Sequence, residues 1–170
     1  MSLMQRLRCD HAHLPAYLYR VQYHDSNTTL DANGLSAATQ TFDEHDIEEL
    51  RQSVVDHFTW SNRSATPYIS LFSDRRHAEN WAVKMGVDSI LLVVDTALLG
   101  DVDVFRLSTL LEELAATIPE AASQHITGAY LCLRSIPHRA ITPIAFDRRC
   151  SRPGPRDIAD PKLLARIKQN

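Results

Sequence analysis

The residues able to do chemistry in this 170-residue chain are scattered rather than grouped. It has eight histidines, yet none forms the HxxxH spacing that sets two imidazoles on one helical face for a metal. Each reads as a surface or hydrogen-bonded core histidine, with His11 and His13 on a frayed terminus. Cys9, Cys132 and Cys150 form no CxxC pair, so neither zinc nor a disulfide framework is indicated. Cys132 falls in an apolar run, where a thiol acts as a small hydrophobe. Glu112 and Glu113 are adjacent on a candidate helix and diverge by about 100°, which does not bring two carboxyls to one bond. Nucleophile-elbow, dinucleotide-fingerprint and phosphate-loop patterns are absent. Taken singly, Arg20 reads as a strand arginine paired with a carboxylate, and Ser70 as a buried strand hydroxyl bonded to backbone. Trp60 and Trp81 read as core or groove-wall residues.

The elements that must hold such residues follow from periodicity. Leu18 to Tyr23 (LYRVQY) alternates apolar and polar side chains and predicts an early strand. His24 to Thr41 carries Asp, Ser, Asn, Thr and Asn33-Gly34, the chemistry of turns and loops. Asp43 opens a helical pattern in which Ile47, Leu50, Val54 and Phe58 share a face, with acidic residues in its first turns. After a polar break at Ser64 to Pro67, Tyr68 to Phe72 (YISLF) predicts a short strand. Ser73 is placed to cap a helix with Ala78, Trp81, Ala82 and Met85 on one face, and Gly86 to end it. Ser89 to Thr96 (SILLVVDT) is nearly continuous in apolar residues, as in a strand covered on both faces. Val102 to Leu107 predicts a strand, Ser108 to Ala116 a helix and Ile118 to Thr127 a loop. Tyr130 to Arg134 and Ile141 to Phe146 predict two further strands. Strands outnumber helices and βαβ alternation is absent, so the expected class is α+β.

The composition, 44% hydrophobic and 23% charged, suits one globular domain with a real core. A net charge of −3 lacks the basic footprint of phosphate-backbone binding, which disfavours nucleic acid as a partner. Arg148 to Lys168 is locally basic and reads as a solvated surface. No run approaches the ~20 apolar residues of a membrane span, so no membrane partner is expected. The expected compartment is cytoplasmic or nuclear, with secretion by a signal removed beforehand left open. Residues 1–16 read as an extension, 17–147 as the domain and 148–170 as a basic tail or helix.

Three ordered segments say more than any single residue: Tyr19-Arg20-Val21, then Thr66-Pro67-Tyr68-Ile69-Ser70, then Gly128-Ala129-Tyr130-Leu131-Cys132-Leu133. In this order and spacing they resemble the mono-ADP-ribosyltransferase superfamily of the arginine–serine–glutamate type, most of all small, toxin-like fungal domains. LYRVQY, SVVDHFTWS, TPYISLFSDRRHAENWA and AYLCLRSIPHRAI carry the likeness across Leu18 to Ile144. The resemblance implies a split β-sandwich with flanking helices and NAD as substrate, without a metal. It implies that Arg20 grips the pyrophosphate, that Ser70 organises the site, and that Tyr19, Tyr68 and Trp81 contribute to NAD binding. The family's glutamate falls at Ala129 and its acceptor-selecting position at Thr127, so neither carboxylate is present. Losing one such electrostatic contributor costs about 3–4 kcal/mol of transition-state stabilisation. The alanine is engineered, or natural in a degenerate domain, or compensated by a carboxylate such as Glu79 or Glu113. The implied function is transfer of ADP-ribose to an unknown protein or other acceptor, weakened as written. The alternatives are a catalytically silent interaction domain on the same fold and an NAD glycohydrolase.

Overall fold

The computed structural model describes residues 2–41, 43 and 45–148. In chain order come helix α1 (Leu3–Leu7), strands β1 (Tyr17–Gln22), β2 (Thr29–Asp31) and β3 (Gly34–Ser36), helix α2 (Ile47–Phe58) and strand β4 (Tyr68–Phe72). Helix α3 (Arg75–Met85), strands β5 (Ile90–Asp95) and β6 (Val104–Arg106) and helix α4 (Leu107–Glu113) follow. Strands β7 (Ala129–Leu133), β8 (Ser135–Pro137) and β9 (Ile141–Ile144) close the described fold. Six strands form one sheet in the order β6-β7-β4-β1-β5-β9, and β2-β3-β8 form a second, three-stranded sheet. Their pairings are antiparallel. The architecture is mixed α+β.

Period-two alternation gives the larger sheet two apolar faces. Val21, Tyr68, Phe72, Leu91 and Leu131 pack with α2, α3 and α4 through Leu50, Val54, Ala78, Ala82 and Leu110. Leu18, Ile69, Leu71, Leu92 and Cys132 lie in a second cluster with Leu35 of β3 and Ile136 of β8. Helices thus cover one face and the small sheet the other. This explains why β5 reads as an almost unbroken apolar run: Leu91 serves one cluster, Leu92 and Val94 the other.

Local chemistry sets the helix ends. The Asp46 carboxylate accepts from the backbone N–H groups of Glu48 and Glu49, so α2 begins after Asp46 rather than at Asp43. Asp74, not Ser73, caps α3 by accepting from His77 N–H, while Ser73 N–H donates to the Gly128 carbonyl. Gly86 ends α3 at φ 108°. The stretch read as loop from His24 to Thr41 contains the β2–β3 hairpin, closed where Asp31 pairs with Gly34. All three residues of β2 are exposed, so no apolar alternation marked it. His11 and His13 sit on a 3-10 turn, and a His11 ring nitrogen lies 2.9 Å from the Val102 carbonyl oxygen, so this segment is anchored rather than frayed. Arg148 donates to the carbonyls of Gly86 and Ser89 at 2.9 and 2.6 Å. The rest of the basic segment, including Cys150, lies outside the described residues. No helix among the described residues is long and apolar enough to cross a membrane.

Two glycines with positive φ separate backbone strain from steric conflict. At Gly34, φ 125°, an added Cβ would meet the His138 nitrogen at 2.7 Å and the Ile136 carbonyl oxygen closer still, whereas at Gly86 it would meet nothing within 4 Å. Gly86→Ala should therefore cost only the conformational term, about 1–3 kcal/mol. Gly34→Ala should cost more, because β3 must move off β8. Chemical denaturation of the two variants gives the comparison; equal losses would contradict the close β3–β8 contact.

Candidate functional site

The site lies where the large sheet opens. β1 pairs with β5 along six residues, from Tyr17↔Asp95 to Gln22↔Ile90, but its ladder with β4 holds Tyr19↔Phe72. Beyond that pair the two strands part, and Arg20 fills the gap. Its Nη1 donates to the Ser70 carbonyl at 3.1 Å and to Ser70 Oγ at 3.0 Å. Its Nη2 donates to Thr28 Oγ1 at 3.0 Å and reaches Gln22 Oε1 at 3.5 Å. The guanidinium therefore stands in for ladder bonds that the parted strands cannot make.

No ion pair to Arg20 occurs among the described residues. Arg20 is 8% exposed, and burial lowers its pKa to about 10, which leaves it charged at neutral pH. Its Nε is excluded from solvent and has no hydrogen-bond partner. A buried cation without a counter-charge is costly unless something anionic comes to it.

Two connected spaces meet at this guanidinium. The larger, about 140 Å³, is lined by Thr28, His57, Thr66, Tyr68 and Ser70, with Asp25, Asp56 and Arg63 also at its walls. The smaller, about 40 Å³, is bounded by Phe58, Phe72, Trp81 and His125. Arg20, Tyr23, His57, Trp60 and Ser70 border both. The cleft thus has a hydroxyl-rich end and an aromatic end.

Two imidazoles, His57 and His125, border it, and a third, His77, backs His125. His57 Nδ1 lies 2.6 Å from Thr66 Oγ1, and its ring packs edge-on to Phe58 and Tyr68. Burial, with Arg20 adding to it, drops the His57 pKa to about 3. His125 is 2% exposed and sits among the rings of Trp60, Phe72 and Trp81, with centroids 5.8, 5.1 and 4.7 Å away. Its Nδ1 lies 2.8 Å from His77 Nε2, while its Nε2 is buried without a partner. Burial, then the neighbouring His77, lowers the His125 pKa to about 3, and burial also lowers that of His77. Tyr68 OH lies 3.0 Å from Ser53 Oγ, and burial raises its pKa to about 12.

Of the residues singled out in the sequence, Arg20 and Ser70 meet directly, Tyr68 lines the larger space and Trp81 the smaller. Tyr19 does not join them: it pairs with Phe72 and packs on the helix-side core. Ala129 is fully buried opposite Phe72 and borders neither space. Its side chain belongs to the core, because β7 is a central strand. Thr127 is exposed and also outside the cleft. Glu79 is engaged by Arg75 at 2.8 Å and Glu113 is exposed, so neither supplies a carboxylate to the cleft. Sequence reasoning passed over His57, Thr28 and the orphaned nitrogen of His125. No spacing rule links these residues; Phe58 beside His57 was legible only as a core position. No group of three or more potential metal ligands occurs among the described residues.

The structure thus holds a cleft in an antiparallel α+β domain, floored by a buried arginine and walled by aromatic rings. The chain matches, over residues 13–147, the family described as a domain of unknown function (DUF7587), and it belongs to that family. No match is found among curated proteins.

The imidazoles give the site a pH signature. His57 and His125 titrate near 3 in the folded chain against an ordinary 6.5, so the unfolded chain binds more protons in the interval between. Their contribution to stability is complete above pH 6.5 and is lost as pH falls toward 3, by up to about 1.4 kcal/mol per pH unit for each histidine. Urea denaturation at pH 7 and pH 5 should show a smaller acid loss for His125→Phe than for the parent chain. An equal loss would mean that His125 is not buried in its neutral form.

Proposed function

We propose that this chain is an ADP-ribosyltransferase-like domain that binds NAD in the Arg20–Ser70 cleft, with transfer chemistry weak or absent. The observation that carries this reading is the direct bond between the two strand residues that bear the resemblance: Arg20 Nη1 donates to Ser70 Oγ at 3.0 Å, at a gap between their strands. A buried, uncompensated guanidinium favours an anionic ligand, and the pyrophosphate of NAD is one. Exposed Arg63 at the wall of the same space adds a second positive group. The pairing of a six-stranded with a three-stranded sheet, and helices on the outer face of the larger, agrees with a split β-sandwich.

Binding is better supported than catalysis. Cleavage of the nicotinamide–ribose bond needs a carboxylate beside the developing oxocarbenium ion, and the expected position holds a fully buried alanine. That burial favours the reading of a nucleotide-binding interaction domain over that of an enzyme disarmed by one substitution. Any acceptor would be a protein or another molecule not specified by this cleft.

Calorimetric titration with NAD tests the reading. Arg20→Lys keeps the charge but loses the fork, and should weaken NAD binding about tenfold or more, as expected for a charge-assisted hydrogen bond. Absence of NAD binding by the parent chain, or an unchanged affinity in the lysine variant, would overturn the proposal. Ala129→Glu should not restore nicotinamide release. It should instead destabilise the domain by roughly 3 kcal/mol or more, because the new carboxylate enters the core unpaired. For a domain of this size that lowers the Tm by about 6–12 °C.

A further inference from the structure

Among the described residues, two side-chain nitrogens are excluded from solvent and without a hydrogen-bond partner: Arg20 Nε and His125 Nε2. They come from distant parts of the chain, a strand and the 3-10 turn Glu120–His125, yet both side chains line the same small space. Buried polar atoms of native proteins are nearly always paired, so two orphans at one cavity call for a common cause. The Arg20 Nε–H can only donate. Whether His125 Nε2 also donates depends on its other nitrogen, which lies against His77 Nε2. If His77 donates there, the His125 proton must sit on Nε2, and both orphans become buried donors on side chains that line one space.

We propose that the small aromatic cavity is an oxyanion subsite, in which Arg20 Nε–H and His125 Nε2–H donate to one anionic group of the ligand and His77 fixes the His125 tautomer. The charge of Arg20, unmatched by any carboxylate bond, selects an anion over a neutral amide or water. At about 40 Å³ the cavity admits an oxygen-bearing tip and excludes a whole ring, which needs roughly 150 Å³. Trp60, 42% exposed and a wall of both spaces, packs on Trp81 and His125 and is the side chain that must shift for the group to enter. Ser70 also borders the small cavity, and the neighbouring larger space adds the hydroxyls of Thr28 and Thr66, which suit the remaining oxygens of a phosphate better than the flat face of a carboxylate. The subsite deepens the NAD reading by naming the residue that joins Arg20 at the phosphate, but an anion of this class need not belong to NAD.

The test uses the intact chain with inorganic phosphate, acetate and NAD as separate probes, read by Trp60 and Trp81 fluorescence and by calorimetry. Phosphate should bind more tightly than acetate. His125→Phe, which keeps a ring in the aromatic box, should weaken phosphate at least tenfold, and His77→Phe should weaken it less. Imidazole nitrogen NMR should find the His125 proton on Nε2 in the parent chain, with that signal shifting on addition of phosphate. A proton on Nδ1, or equal phosphate affinity in the parent and His125→Phe chains, would overturn the subsite and leave a bridging water as the occupant. Phosphate binding that depends on His125 while NAD fails to bind would keep the subsite and sink the NAD reading. NAD binding that depends on Arg20 but not on His125 would do the reverse.

Discussion

The bond from Arg20 to Ser70 bridges two strands that would otherwise be left with unpaired backbone at the centre of a sheet. β1 follows β5 for its whole length but leaves β4 after Tyr19 and Phe72. A gap there would strand the Ser70 carbonyl, at a cost comparable to a lost buried hydrogen bond. The guanidinium is long enough to cross the gap and has donors enough to satisfy Ser70, Thr28 and Gln22 together. The gap is therefore stable as a gap, and it becomes a cleft.

That solution places a full positive charge where water barely reaches. Burial keeps His57 and His125 neutral over the physiological range, with Arg20 adding to the effect at His57 and His77 at His125. The site is rich in hydrogen-bond donors and aromatic surface, and its carboxylates, Asp25 and Asp56, stand at the walls of the larger space without an ion pair to Arg20. Recognition of a phosphate and cleavage of a glycosidic bond are different physical tasks, and the reading proposed above assigns this cleft the first, because no carboxylate stands at the position where a glycosyl cation would need one.

Much of the framework was legible because the larger sheet is buried on both faces. β1, β4, β5, β7 and the helices α2 and α3 carry apolar patterns long enough to define their period. β2, β3 and β8 were not legible, since three-residue strands with at most one buried side chain offer no period to count. The helix starts shifted by a few residues because several nearby aspartates and serines compete to cap, and only the folded backbone selects Asp46 and Asp74.

The sequence by itself determined the α+β class and the main strands and helices, because these rest on local pattern; Arg20 and Ser70 became candidates only through the likeness carried by three ordered segments. Only the tertiary structure decided that β1 and β4 part where they do, and so that Arg20 bonds to Ser70 rather than to a carboxylate. It also decided that Ala129 belongs to the core, and that His125 arrives beside Arg20 from across the fold with a nitrogen unpaired. The Arg20–Ser70 bond across 50 positions, and the shared cavity of Arg20 and His125 across 105, are set by how sheets and helices stack, and no spacing along the chain encodes them.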